Sequence, residues 1–336
     1  MATQLIGVGG LTVELALRQF NRRLIARNRA EAVFNRWGLE AGIARRNGKA
    51  ISFRRQDSIY PAGLAASNAA ASAPSALTEG TQPAAINASW SEVQATVSQY
   101  GQVILYSDVA DEQALDDVMP ESVENLSESM TDALDLVTRD QLVAGTNRQY
   151  ASIATTRGGA SGVGSGMVLN FAELREAKRT EQRNNVRGVR SENGRYVVIG
   201  HPDTEFDLWS DTNIVNVAQY NPTEKRSEEL WEVNFHDLPG GFRWFSTTNA
   251  RIFAGAGLSA MNVYDTIVMG EEWYGRIKFE AFPPQIIRKP RGSGGATGDP
   301  LNQIASVGWK ASHTAVILDQ ARGVNIEHAT SAHTMG

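Results

Sequence analysis

The strongest constraint on this fold is the stretch from residue 90 to residue 145, where an extended segment leads into a long acidic helix. From Val93 onward small apolar and polar residues alternate, which predicts a half-buried strand. Gly101 is a candidate bend, and Val103–Tyr106 then form a fully apolar run. At about 3.3 Å per residue the segment would span roughly 50 Å, which is long for a strand of an ordinary domain.

A long amphipathic helix is predicted from about residue 120 to residue 144. Pro120 suits a first helical position, and Gly145 suits a left-handed position after the last turn. Apolar residues at spacings of three and four form one stripe, namely Val123, Leu126, Met130, Leu134 and Val137. The other faces carry the acidic residues Glu121, Glu124, Glu128, Asp132, Asp135 and Asp140. Such acidic faces are usually solvated.

Composition excludes several classes of protein. The 336 residues include no cysteine, so a disulfide framework and a thiolate site are both impossible. No apolar run approaches the ~18 residues of a membrane span, and the first residues lack a signal-peptide pattern. A soluble protein of a cytoplasm is therefore expected.

Charge is distributed unevenly along the chain. Between Arg18 and Arg55 eleven residues are basic and two are acidic, whereas between Asp108 and Asp140 eleven are acidic and one is basic. Three readings of the basic arm are compatible with this pattern: nucleic-acid binding, contacts with acidic surfaces of other copies, or a solvated helix. Aromatic residues barely interleave with the arginines, which favours protein contacts. Residues 11–46 have the pattern of one or two amphipathic helices.

Residues 50–89 are rich in Ala, Ser, Pro and Gly, which is typical of loops and linkers. A short predicted strand, Ile51–Arg55, precedes this segment and the long strand follows it. An extended two-stranded flap with a flexible tip therefore fits better than a linker.

No residue pattern in the sequence indicates a catalytic site. The five histidines lack metal-ligand spacing, and the glycine-rich residues 157–166 lack the end of a phosphate-binding loop. His201 is the best single metal candidate, although a helix-capping role is favoured. We predict no catalytic, cofactor or metal site. The alternative is a soluble hydrolytic or metal-dependent enzyme with a long lid at residues 56–89.

Three segments of the chain are the most informative for comparison with known families: TVSQYGQVILYSDV (96–109), LDLVTRDQLVAGTN (134–147) and GWKASHTAVILDQARGVNIEHA (308–329). With LTEG at 77–80, they resemble the major capsid proteins of tailed bacteriophages, in a podophage-type subfamily of the HK97-like fold. The resemblance covers about residues 50–329. It implies an α+β fold with an N-terminal arm, an extended β-hairpin loop, a long spine helix, and peripheral and axial domains.

The implied domains follow one another along the chain. They are a basic arm (1–50), an extended loop (51–106), the spine helix with peripheral domain (107–185), an axial domain with peripheral segments (186–300), and a C-terminal peripheral strand and tail (301–336). The resemblance further implies hexamers and pentamers in an icosahedral shell around double-stranded DNA, assembled in the host bacterial cytoplasm. Expected partners are other copies, a separate scaffolding protein, a portal protein and non-specifically bound DNA, and a decoration protein is left open.

Contacts between subunits are expected at three groups of residues. Arginines form bidentate pairs with carboxylates, so basic arm residues and acidic helix residues are candidates, together with the flap tip. The candidates are Arg22, Arg23, Arg27, Arg45, Arg46, Leu77, Glu79, Glu121, Glu124 and Glu128. No lysine has a local motif for an autocatalytic cross-link, and none is predicted.

Overall fold

The computed structural model describes residues 32–56, 77, 79–82, 88–109, 118–214, 237–280, 282–292 and 301–331. Within them the strands are β1 (Leu39–Ile43), β2 (Ala50–Gln56), β3 (Trp90–Thr96), β4 (Ser98–Ser107), β5 (Arg148–Tyr150), β6 (Tyr196–Gly200), β7 (Asp237–Leu238), β8 (Phe242–Ser246), β9 (Ile252–Phe253), β10 (Val263–Met269), β11 (Tyr274–Phe279), β12 (Gln285–Lys289), β13 (Ile304–Ile317) and β14 (Gly323–His328). The helices are α1 (Val118–Val143), α2 (Phe171–Arg183) and α3 (Pro202–Trp209).

A five-stranded sheet is organised around β13. This strand pairs with β4 along one edge and with β12 and then β11 along the other, all antiparallel, and β1 adds in parallel to β11. Helix α1 packs on one face of this sheet. Leu126, Val307 and Trp309 are buried between them, because alternate residues of β13 point to the same side.

A seven-stranded sheet has the order β5-β14-β10-β6-β8-β7, with β9 on β10. All of β6 is buried, so its side chains serve both faces. Tyr196 and Val198 pack in a core with Leu174 of α2 and Leu208 of α3. Val197 and Ile199 belong to a second core, which includes the end of α1 and residues 33–34. The sheet therefore has α2 and α3 on one face and the α1 terminus on the other.

The antiparallel pair β2–β3 forms a separate two-stranded hairpin, with Ala50 opposite Thr96 and Gln56 opposite Trp90. The predicted flap is thus confirmed at its base. The predicted single long strand is wrong, because it breaks at Val97 rather than Gly101. On either side of Val97 the chain pairs with different partners, β2 for β3 and β13 for β4.

Three further expectations need correction. The long helix is confirmed, but it begins at Val118, so Pro120 is not its first residue. Gly145 is not among the residues with positive φ, although a Cβ there would lie 3.1 Å from the carbonyl oxygen of Leu142. Glycine is therefore favoured at 145 by close packing. The part of 11–46 that is described contains a turn and the strand β1 instead of a helix.

Candidate assembly surfaces

The hairpin is buried at its base and exposed at its far end. Ala95 is buried, and Phe53 packs so closely on Gly275 that a Cβ there would lie 2.9 Å from the ring. Farther along, Arg54 and Gln56 are exposed, and Trp90 is 66% exposed. A two-stranded hairpin is marginally stable by itself, so its exposed end is suited to contacts outside the subunit.

The second face of the five-stranded sheet is covered by the hairpin near β1 and β11, but it is open at β4 and at the start of β13. Val103 and Leu105 on β4 are each 62% exposed, whereas their neighbours Ile104 and Tyr106 pack toward α1. Ile304 is 43% exposed. Of the apolar run Val103–Tyr106, only alternate residues are therefore covered. Apolar patches of this kind mark protein contact sites.

The backbone edge of β4 adds to this surface. It pairs with β13 on one side, and no described strand pairs with its other side. A strand edge with unpaired N–H and C=O groups is a template for another strand. The open sheet face and the β4 edge were not predicted as contacts, and the continuous apolar run Val103–Tyr106 was the available signal.

Asp135 does not lie on the solvated face of α1, as expected from its place among the acidic residues. Its side chain is fully buried and accepts hydrogen bonds from the backbone N–H groups of Val33 (3.2 Å) and Asn35 (3.1 Å). Burial raises the pKa of Asp135 to about 6, although these backbone donors oppose the rise. The carboxyl group thereby anchors residues 33–35 to the middle of α1.

Further contacts hold the same segment, which we call the arm anchor (residues 33–38). Tyr274 donates a hydrogen bond to the carbonyl oxygen of Phe34, and the Trp37 indole donates to Glu192 at 2.9 Å. Thr138 Oγ1 lies 2.7 Å from Asn35 Oδ1. The anchor therefore connects α1, the five-stranded sheet and residues next to the seven-stranded sheet.

A buried ionic cluster lies where α1 ends. Glu327 on β14 is fully buried and pairs with Arg148 and with Arg157, the latter through two hydrogen bonds of 2.7 Å. Asp265 on β10 is also buried and accepts from the Asn325 side chain at 3.3 Å. Desolvation, and secondly the nearby charge of Glu327, raise the pKa of Asp265 to about 8. Asp265 is thus protonated at neutral pH.

The predicted contact residues lie in different places. Arg22, Arg23 and Arg27 fall outside the described residues. Arg45 and Arg46 are exposed in the turn between β1 and β2, Leu77 is 79% exposed and Glu79 is exposed. On α1, Glu124 is exposed, and Glu121 and Glu128 are partly buried. The pairing of these groups between neighbouring copies stays a prediction.

The described histidines have structural partners. His201 caps α3 by accepting from the Asp203 N–H, His313 lies 2.9 Å from Thr138 Oγ1, and His328 lies 2.9 Å from Thr266 Oγ1. His236 and His333 lie outside the described residues. Among the described residues no group of three or more acidic or histidine side chains is arranged to hold a metal ion. No helix among them combines the length and apolar character needed to cross a bilayer.

Several solved phage capsid structures are similar to this chain. The capsid of cyanophage Pam1 is 15% identical, covers 97% of this chain and 100% of that chain, and has a TM-score of 0.70. The capsids of cyanophage P-SCSP1u (14% identical, 95% and 94% covered, TM-score 0.66) and Ralstonia phage GP4 (12% identical, 98% and 99% covered, TM-score 0.65) are also similar. These likenesses confirm the α+β, HK97-like fold.

No curated protein sequence matches the chain significantly. A family model for phage capsid proteins, in contrast, matches residues 90–326. This range contains β3, β4, α1 and both large sheets almost entirely. Because the match spans more than half of the sequence, the chain belongs to the phage capsid protein family.

Proposed function

We propose that this major capsid protein, which forms the shell of a bacteriophage particle, assembles through hexamers and pentamers into an icosahedral shell around double-stranded DNA. The observation that carries the proposal is the coexistence, on one subunit, of an exposed hairpin end and an uncovered apolar sheet face. The family is structural, and nothing in the comparisons supports the hydrolytic or metal-dependent enzyme with a lid at 56–89.

The surfaces suggest how copies would adhere. Covering apolar groups such as Val103 and Leu105 gives roughly 25 cal/mol for each Å² removed from water. The exposed hairpin end and the β4 edge offer additional backbone and side-chain contacts. Many modest contacts of this kind, repeated in a closed assembly, stabilise a shell without any single strong pair.

Assembly is tested by size. Purified full-length protein, with a scaffolding protein added if needed, is examined by sedimentation and negative-stain microscopy. We expect closed shells or capsomers of several copies. Monodisperse monomer under all these conditions would contradict the proposed function.

Leu105→Asp should block or strongly weaken assembly while leaving the subunit folded. The side chain is 62% exposed, so the charge costs little in the free subunit, but it would be buried without a partner in a shell. Asn193→Asp adds the same charge at an exposed turn and is the control. Sedimentation measures assembly and circular dichroism measures folding. Normal shells from Leu105→Asp would exclude the sheet face as an interface.

Deletion of residues 1–31 should leave a folded subunit and reduce assembly, because the basic arm is proposed to contact neighbouring copies. Deletion of residues 1–43 should instead unfold or aggregate it. The longer deletion removes β1 and the buried Phe34, and the loss of a buried Phe side chain alone costs ~3–5 kcal/mol. Thermal melting and sedimentation distinguish the two results. Equal assembly of the 1–31 deletion and the full chain would exclude that role of the arm.

The remaining partners are proposed on the same basis. A separate scaffolding protein would guide closure, a portal protein would occupy one vertex, and a decoration protein is compatible with the exposed sheet face. Assembly is proposed to take place in the host bacterial cytoplasm. Packaged double-stranded DNA would be bound without sequence preference.

A further inference from the structure

Helix α2 and the turn after it display a row of cationic side chains. Arg175, Arg179 and Arg183 follow each other at intervals of four residues, so they lie along one side of the helix. All three are exposed, and so are Arg187 and Arg190 in the following turn. We call the set Arg175, Lys178, Arg179, Arg183, Arg187 and Arg190 the α2 basic surface.

Most acidic residues of the same segment are engaged away from this surface. Glu173 accepts a hydrogen bond from the Ser152 N–H at 2.9 Å, and Glu181 is fully buried in the core side of α2. Glu192 accepts from Trp37 of the arm anchor. The cations are therefore in excess where α2 meets solvent.

Two acids remain beside the cations. Glu176 pairs with Arg179, and Glu271 pairs with Arg190. Arg175, Arg183 and Arg187 form no ion pair with the described part of the chain. Exposed pairs contribute ~1 kcal/mol or less, so Arg179 and Arg190 can exchange these partners for another anion at little cost.

The surface is grooved as well as charged. Two open clefts, of about 820 Å³ and 900 Å³, lie on either side of Lys178 and Gln182. The turn that borders both contains Gly240 and Gly241, each with positive φ (86° and 81°) and without a side chain to fill the cleft. The backbone of a long ligand can therefore approach the helix closely.

The α2 basic surface differs from the apolar surfaces that favour contacts between copies. The large hydrophobic side chains that are exposed include Trp90, Val103 and Leu105, and none lies in residues 171–195 or 239–243. Protein–protein interfaces have cores depleted in charge, whereas protein–DNA interfaces are polar and strongly positive. The composition of this surface therefore favours a nucleic acid over a second copy.

We propose that the α2 basic surface binds the phosphate backbone of double-stranded DNA without reading its sequence. The inference rests on the proposed function, in which the shell encloses DNA. Arginines in a row, with no aromatic side chain exposed among them, fit phosphate contacts rather than base stacking. The surface would hold the outer layer of packaged DNA against the subunit.

The test measures binding of a 30-base-pair duplex to unassembled full-length protein by fluorescence anisotropy, from about 50 to 200 mM salt. The variant is Arg175→Gln/Arg179→Gln/Arg183→Gln. We expect the slope of log affinity against log salt to fall by about 2.7, since each lost phosphate contact removes about 0.9. Affinity at low salt should fall roughly tenfold or more. All three side chains are exposed, so the variant should fold.

The control Arg288→Gln/Lys289→Gln/Arg291→Gln removes the same charge from exposed positions elsewhere. Equal losses in both triple variants, or no loss in the α2 variant, would overturn the proposal. Competition by polyglutamate as effective as by DNA would assign the surface to an acidic protein instead, and also overturn it. Sedimentation in parallel records assembly, so normal shells with unchanged DNA binding would refute this inference and leave the proposed function intact.

Discussion

Leu126→Asp should give an insoluble or unfolded subunit. Leu126 is 3% exposed and packs between α1 and β13 against Val307 and Trp309. The substitution removes a buried apolar side chain and places a charge in an apolar core. Together these effects cost roughly 4 kcal/mol or more, a large share of the stability of a typical domain. The soluble fraction and urea unfolding measure the outcome.

Glu124→Gln is the matched control for this prediction. It lies two residues earlier on the same helix and is exposed, so loss of its charge should change stability by ~0.5 kcal/mol or less. Leu134, which is only partly buried, should tolerate Asp better than Leu126 does. Normal folding of Leu126→Asp would mean that the helix packs on a different face.

Periodicity was sufficient to predict the main elements. The predicted stripe identified the face of α1 that packs on the sheet: Val123, Leu126, Met130 and Leu134 lie in that core, whereas Val137 is not among its residues. The alternation from Val93 identified β3, and the flanking strand identified its partner β2. These features depend on residues close in sequence, which is why a single chain reveals them.

Other features depend on residues far apart and escaped prediction. Asp135 has the same chemistry as the acids around it, but it is buried because residues 33–35, about one hundred positions earlier, bring backbone donors to it. Val103 and Leu105 belong to an apolar run, yet described residues cover only one face of the sheet at their strand. The burial of Asp135 can be predicted only from the tertiary fold. The exposure of Val103 and Leu105 depends on contacts with a partner, which the sequence of one chain does not show.

Glu327→Gln should destabilise the subunit by ~3–5 kcal/mol. The Glu327 side chain is fully buried between Arg148 and Arg157. Loss of its negative charge leaves these two partly buried cations without their anionic partner. Asp265→Asn, at the neighbouring strand, is the control. It replaces a group that is already uncharged at pH 7, so its cost there should be ~1 kcal/mol or less. Chemical denaturation at pH 7 compares the two, and equal losses would contradict the assigned charges.

The raised pKa of Asp265 also predicts a pH dependence of stability. The pKa of Asp265 is raised from 3.8 to about 8, so the folded state holds a proton that the unfolded state releases, and stability falls as pH rises from about 4 to about 8. Asp135, with a raised pKa of about 6, and the buried His313 and His328, with pKa values lowered from 6.5 to about 4, change stability mainly below pH 6.5. Between pH 6.5 and 8 Asp265 should therefore cost the wild type about 2 kcal/mol, from ~1.4 kcal/mol per pH unit. The buried Glu181, whose pKa desolvation also raises well above its usual value, adds a loss of the same sign. Asp265→Asn should remove the Asp265 contribution and so flatten the slope, and an unchanged slope in the variant would show that Asp265 does not titrate in this range.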